Sequence, residues 1–84
     1  MSGRLAGKVA IISGGATGMG GAASKLFAAE GARVSIIDRN LAAAEATAAE
    51  IRAAGGIVAA FQADVSDEAA VISAVKATEA QFGP

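Results

Sequence analysis

A four-residue apolar run, Val9-Ala10-Ile11-Ile12, breaks into Ser13-Gly14-Gly15-Ala16-Thr17-Gly18-Met19-Gly20 and then into an alanine-rich stretch. That order spells a strand, a glycine-rich turn and the start of a helix. A strand that feeds straight into a helix N-terminus brings backbone N–H groups and the positive end of the helix dipole to where a phosphate can sit. The strand is apolar without alternation, as in a parallel sheet covered on both faces. The chain is thus directed towards an α/β fold with a phosphate-binding turn at one sheet edge.

The same strand–helix unit recurs three times. Strands are predicted over residues 8–13, 33–38 and 57–63, and helices over 19–30, 40–54 and from 66 onwards. Ala23, Leu26 and Phe27 would face the core from the first helix, and Leu41, Ala44, Ala48 and Ile51 from the second. Val71, Val75, Thr78 and Phe82 would do so from the third. Gly31 and Gly55-Gly56 close the first two helices, and Ser66 is the expected N-cap of the third, with Asp67 and Glu68 in its first turn. Short apolar strands alternating with such helices predict a Rossmann-type, doubly wound parallel sheet with right-handed crossovers. Only the first three βα units of such a sheet are present.

Composition narrows the chemistry. Of the 84 residues 24 are alanine and only three are aromatic, which favours close helix–sheet packing. A net charge of −1 with scattered Arg and Lys gives no basic stripe for nucleic acid or an anionic membrane. With no Cys and no His, disulfides, thiol chemistry, the usual zinc sites and histidine bases are excluded within these residues. The apolar run 9–12 is too short for a signal core of roughly 7–15 residues. No stretch approaches the roughly 20 residues of a membrane span. The expectation is a cytoplasmic protein.

Gly14, Gly18 and Gly20 give the spacing G-x-x-x-G-x-G directly after the first strand. Gly14 would turn the chain off the strand, Gly18 would let the backbone approach a pyrophosphate, and Gly20 would let the helix pack closely. Ser13 and Thr17 carry hydroxyls suited equally to phosphate oxygens and to capping the loop. Met19 lies within the same segment. A P-loop is excluded, because Gly21-Ala22 stands where that motif needs Lys and Ser or Thr. The alternative frame G-x-G-x-x-A from Gly18 starts too far beyond the strand for its first glycine to make the turn.

Asp38 closes the second strand, where a carboxylate can accept both ribose hydroxyls of an adenosine and would repel a 2′-phosphate. Its rival role, capping the next helix, is equally open to Asn40. Arg39 complicates the choice, because a guanidinium there could grip a 2′-phosphate. NAD is expected ahead of NADP. Asp64, at the end of the third strand, could accept from the exocyclic amine of adenine while the Val65 N–H serves a ring nitrogen. It could equally be a helix-capping Asp.

Together, residues 13–20, Ile36-Ile37-Asp38-Arg39, Ala63-Asp64-Val65-Ser66-Asp67 and the opening Leu5-Ala6-Gly7-Lys8-Val9-Ala10-Ile11-Ile12 resemble the short-chain dehydrogenase/reductase family. The resemblance covers essentially the whole chain, with the motifs in the family's order and spacing. It implies an NAD(P)-dependent oxidoreductase acting on small alcohols or ketones, usually as a homo-oligomer. Gly14, Gly18 and Gly20 match the coenzyme glycines, Asp38 the acidic residue typical of NAD-preferring members, and Asp64-Val65 the adenine contacts. Ser13 replaces the usual Thr and keeps its hydroxyl.

The family's Asn-Asn-Ala-Gly segment, catalytic Ser and Tyr-x-x-x-Lys pair are absent. In the family the Tyr is the general acid/base, and the Lys lowers its pKa and holds the nicotinamide ribose. No catalytic residue is therefore assigned within these 84 residues. Residues 1–84 are expected to be the N-terminal part of a single NAD-binding domain, since a complete one has about six strands. Strand one would normally have strand four beside it, and is expected as an apolar edge. Two alternatives stand beside this reading. One is a non-catalytic dinucleotide-binding or interaction module, and the other is an NADP-dependent reductase relying on Arg39.

Overall fold

The computed structural model describes residues 7–14, 18–64 and 66–83. The elements run in the order β1 (Val9–Ser13), α1 (Gly18–Ala29), β2 (Arg33–Asp38), α2 (Leu41–Ala53), β3 (Ile57–Gln62) and α3 (Glu68–Phe82). The strands form one parallel sheet in the order β1-β2-β3. Register pairs Val9 with Arg33 and Arg33 with Ile57, so all three strands finish at one edge. This is the doubly wound α/β arrangement that the alternation predicts, with β1 at an edge of the three strands.

Alternation along β2 divides the core. Val34 and Ile36 point to one face, where Ala44, Ala48 and Ile51 of α2 cover them together with Val58 of β3, and Phe27 and Ala28 of α1 pack alongside. Ile37 points to the other face, against Ala63 and Ala74, with Phe61 and Ala70 beside them. Ser35 also faces α3, where it pairs with the Thr78 hydroxyl at 2.7 Å. The helices contribute many small side chains to these interfaces, Ala44 and Ala48 from α2 and Ala74 from α3, against the larger Val34, Ile36 and Ile37 of β2. Among the described residues no helix is long and apolar enough to cross a membrane.

Several predicted positions are corrected. The buried residues of α1 are Gly21 and Ser24, with Phe27 half-buried, whereas Leu26 is 58% exposed. A hydroxyl can sit on that face because Ser24 Oγ donates to the Gly20 carbonyl of its own helix at 2.8 Å. Leu41 lies at the rim of α2, and Thr47 joins Ala44, Ala48 and Ile51 in its buried stripe. On α3, Ala74 is buried while Val71 and Val75 are only half-buried. The N-cap of α3 is Asp67, whose side chain accepts from the Ala70 N–H, and not Ser66. The Ser66 hydroxyl instead donates to Asp64 Oδ1 at 2.8 Å.

Helix ends explain the tight connections. At the end of α2, Gly55 N–H bonds the Arg52 carbonyl and Gly56 N–H the Ile51 carbonyl, with Gly55 at φ 91°. That pair of bonds is a Schellman closure, and it turns the chain directly into β3. The same pattern, Gly31 to Ala28 and Ala32 to Phe27, returns α1 into β2. The Arg33 guanidinium donates to the Phe82 carbonyl at 3.0 Å and so anchors the C-terminal end of α3 beside the start of β2.

Candidate functional site: the carboxyl edge of the sheet

Because the strands are parallel and in register, Ser13, Asp38 and Gln62 all emerge at the same edge. Gly14 follows β1 with φ 66°, a left-handed conformation that a side chain would strain, and its N–H donates to the Ile37 carbonyl at 2.7 Å. The β1–β2 ladder is thus prolonged by one bond just as the chain leaves it. Gly18, the first residue of α1, has φ 58°, and open space lies where its Cβ would stand. Gly20 is half-buried, and its neighbour Gly21 is buried. Met19 is 91% exposed on the first turn of α1. Thr17 and Val65 lie outside the described residues.

Asp38 is half-buried at the end of β2. Its Oδ1 accepts from the Asn40 N–H at 3.0 Å, closing a short turn. The cap of α2 is supplied by Asn40, whose side chain accepts from the Ala43 N–H at 3.0 Å. Asp38 therefore does not cap the helix. Among the described residues the Asp38 side chain makes no other hydrogen bond, which leaves Oδ2 open to a ligand. Ser13, Gly14, Asp38, Arg39 and Ala63 line one cleft of about 240 Å³ at this edge.

Asp64 stands just beyond β3 and organises the turn into α3. Its Oδ1 accepts from both the Ser66 N–H, at 2.9 Å, and the Ser66 hydroxyl. Its Oδ2 lies 3.7 Å from Arg39 Nε. These bonds to Ser66, helped by the Arg39 charge, hold the Asp64 carboxyl below its ordinary value of 3.8. The Gln62 side chain donates to the Arg39 carbonyl at 3.2 Å, tying the β2–α2 turn to the end of β3. Neither Gln62 nor this role of Ser66 is foreseen from the sequence. A D-x-S spacing after a strand is the turn signal that marks Ser66, while Gln62 carries only its polarity in an apolar strand.

A larger cleft of about 430 Å³ lies elsewhere, between α1 and α2, where Ala28, Ile51 and Gly56 line it and the Lys25–Glu50 ion pair of 2.8 Å spans the two helices. It holds none of the strand-end residues. Size alone does not make it the site. The carboxyl edge combines two left-handed glycines, a helix N-terminus and an open carboxylate oxygen, which is the donor and acceptor set that a dinucleotide's phosphates and ribose need.

Comparison with known proteins gives the family. The sequence model of the short chain dehydrogenase family matches residues 8–84. The 2,5-dichloro-2,5-cyclohexadiene-1,4-diol dehydrogenase LinX of Sphingobium indicum is 51% identical over 83 residues, covering 99% of this chain and 33% of that protein. The D-threitol dehydrogenase of Mycolicibacterium smegmatis is 42% identical over 80 residues, covering 95% of this chain and 31% of that protein. A solved structure, the citronellol catabolism dehydrogenase AtuB of Pseudomonas aeruginosa, superposes with a TM-score of 0.94 at 34% identity, over 99% of this chain and 35% of that one. The chain thus spans about a third of the length of the relatives it matches. On the family match and the shared fold together, the chain belongs to the short chain dehydrogenase family.

Proposed function

We propose that these residues form the coenzyme-binding part of an NAD-dependent dehydrogenase acting on a small alcohol or ketone. The observation that carries the reading is the convergence of Gly14, Asp38 and Arg39 on one cleft at the carboxyl edge, with Asn40 rather than Asp38 capping α2. Gly14 turns the chain off β1, and Gly18 brings the start of α1 and its free N–H groups to the pyrophosphate. Gly20 lies in that first helical turn, with Thr17 and Met19 in the same segment. Asp38 accepts the adenosine ribose hydroxyls, and Asp64-Val65 meet the adenine.

When bound, the nicotinamide supplies the hydride acceptor or donor. The chain's own part is to hold and orient it. No proton-transferring residue is assigned within this sequence, which has neither tyrosine nor histidine. On this reading residues 1–84 are the first portion of one NAD-binding domain, supported by their match to about a third of each relative. The names of those relatives, which are dehydrogenases of a cyclohexadiene diol and of threitol, support an alcohol substrate. The family resemblance supports a homo-oligomer.

The second reading, an NADP-dependent reductase, is favoured by Arg39, which lines the same cleft. Titration of the intact protein with NAD and NADP decides between them. NAD should bind more tightly, and Asp38→Ala should weaken NAD roughly tenfold to a hundredfold, the worth of hydrogen bonds to a charged group. An unchanged NAD affinity in Asp38→Ala, or tighter NADP binding by the unsubstituted protein, removes the NAD assignment.

A further inference from the structure

Arg39 is the one cation on the coenzyme cleft among the described residues, and it is held from two sides. Its backbone carbonyl accepts from the Gln62 side chain, which fixes where the residue sits relative to β3. Its Nε lies 3.7 Å from Asp64 Oδ2, and that carboxylate is itself immobilised through Oδ1 by two bonds from Ser66. A carboxylate fastened by one oxygen offers the other in a constant direction, so Asp64 draws the guanidinium towards the end of β3.

We propose that Asp64 is a positioning residue for coenzyme choice: by pairing with Arg39 at the end of β3, it withholds the guanidinium from a 2′-phosphate. This rests on the coenzyme reading above and deepens it. Asp38 then disfavours NADP by direct repulsion, and Asp64 does so at one remove, by occupying the cation that would offset that repulsion. The two carboxylates act on the same discrimination through different contacts. An adenine contact by Asp64 touches a group common to both coenzymes and leaves their ratio unchanged. The tether acts on the ratio alone.

Asp64→Asn separates the two roles, since the amide oxygen still accepts from Ser66 but the side chain carries no charge for Arg39, and a lost adenine contact weakens both coenzymes alike. Both coenzymes are titrated by calorimetry against the intact protein bearing Asp38→Ala, with and without Asp64→Asn. The expected result is a rise of about two- to fivefold in NADP affinity relative to NAD, the scale of an exposed ion pair. The rise should vanish when Arg39→Leu is added, because no guanidinium is left to release. An equal change for both coenzymes, or a rise that persists in Arg39→Leu, overturns the tether and leaves the coenzyme reading intact. An unsubstituted protein that binds neither coenzyme overturns both.

Discussion

The buried hydroxyl pair between β2 and α3 makes a prediction whose sign follows from proton bookkeeping. Ser35 and Thr78 are both 0% exposed, with their oxygens 2.7 Å apart. The Thr78 hydroxyl also donates to the Ala74 carbonyl at 2.8 Å. A hydroxyl has a single proton, so Thr78 accepts from Ser35 and Ser35 is the donor. Removing either partner is therefore not equivalent. Thr78→Val leaves the Ser35 O–H as a buried donor with no acceptor in that direction, at a cost of about 1–3 kcal/mol. Ser35→Ala leaves Thr78 still donating to Ala74 and only an acceptor lone pair unused, at a cost of about 0.5–1.5 kcal/mol. The double variant removes both polar groups and should be no less stable than Thr78→Val alone, a coupling at least as large as the Ser35→Ala cost of about 0.5–1.5 kcal/mol. Equilibrium denaturation of the four proteins, with unchanged m-values, measures all of these quantities. If Ser35→Ala costs as much as Thr78→Val, or if the two costs simply add, the assigned direction of the bond is wrong.

Three further outcomes follow from the geometry. A Cβ at Gly56 would stand 2.6 Å from Ile51 Cγ2 and 3.2 Å from Ala28 Cβ, and β-branched Ile51 cannot swing aside within its helix. Gly56→Ala should thus destabilise by about 1–3 kcal/mol in a melting or denaturant experiment. Gly18→Ala meets open space but keeps φ 58°, so it should cost about 1–2 kcal/mol of backbone strain and weaken NAD binding. The Asp64 carboxyl is depressed in the folded protein, so its stabilisation is fully present above the ordinary value of 3.8 and is lost as pH falls through its folded midpoint. Carboxyl NMR should place that midpoint below 3.8, and Ser66→Ala should move it upwards by removing one of its two bonds to Ser66.

The fold was legible because its signals are local and redundant. Unalternated strands, helical stripes and helix-closing glycines agree, and the β2 limits were readable to the residue, with Asp38 as its last member. The misplaced residues share one cause. Size and apolarity point Leu26 and Leu41 inward, whereas small residues such as Gly21, Ser24 and Ala74 take buried helix positions and permit close approach. Periodicity weighted by hydrophobicity cannot see a face chosen for smallness.

The strand-end residues of the site were legible from spacing, since parallel register carries the ends of β1, β2 and β3 to one edge. What spacing could not supply was partnership. The choice between Asp38 and Asn40 as the α2 cap, the use of Ser66 as a brace for Asp64, and the hold of Gln62 on Arg39 all depend on hydrogen-bond directions. The role of Asp67 as the α3 cap was hidden for the same reason, because Ser66 offers an equally good hydroxyl one residue earlier.

Amide NMR of the intact protein titrated with NAD locates the coenzyme on the fold independently of turnover. NAD should shift Gly14 and Gly18, Asp38 and Arg39, and Asp64, with Lys25, Glu50 and Gly56 between α1 and α2 unmoved. Shifts confined to the Lys25–Gly56 cleft, with the strand ends silent, would contradict a coenzyme site at the carboxyl edge.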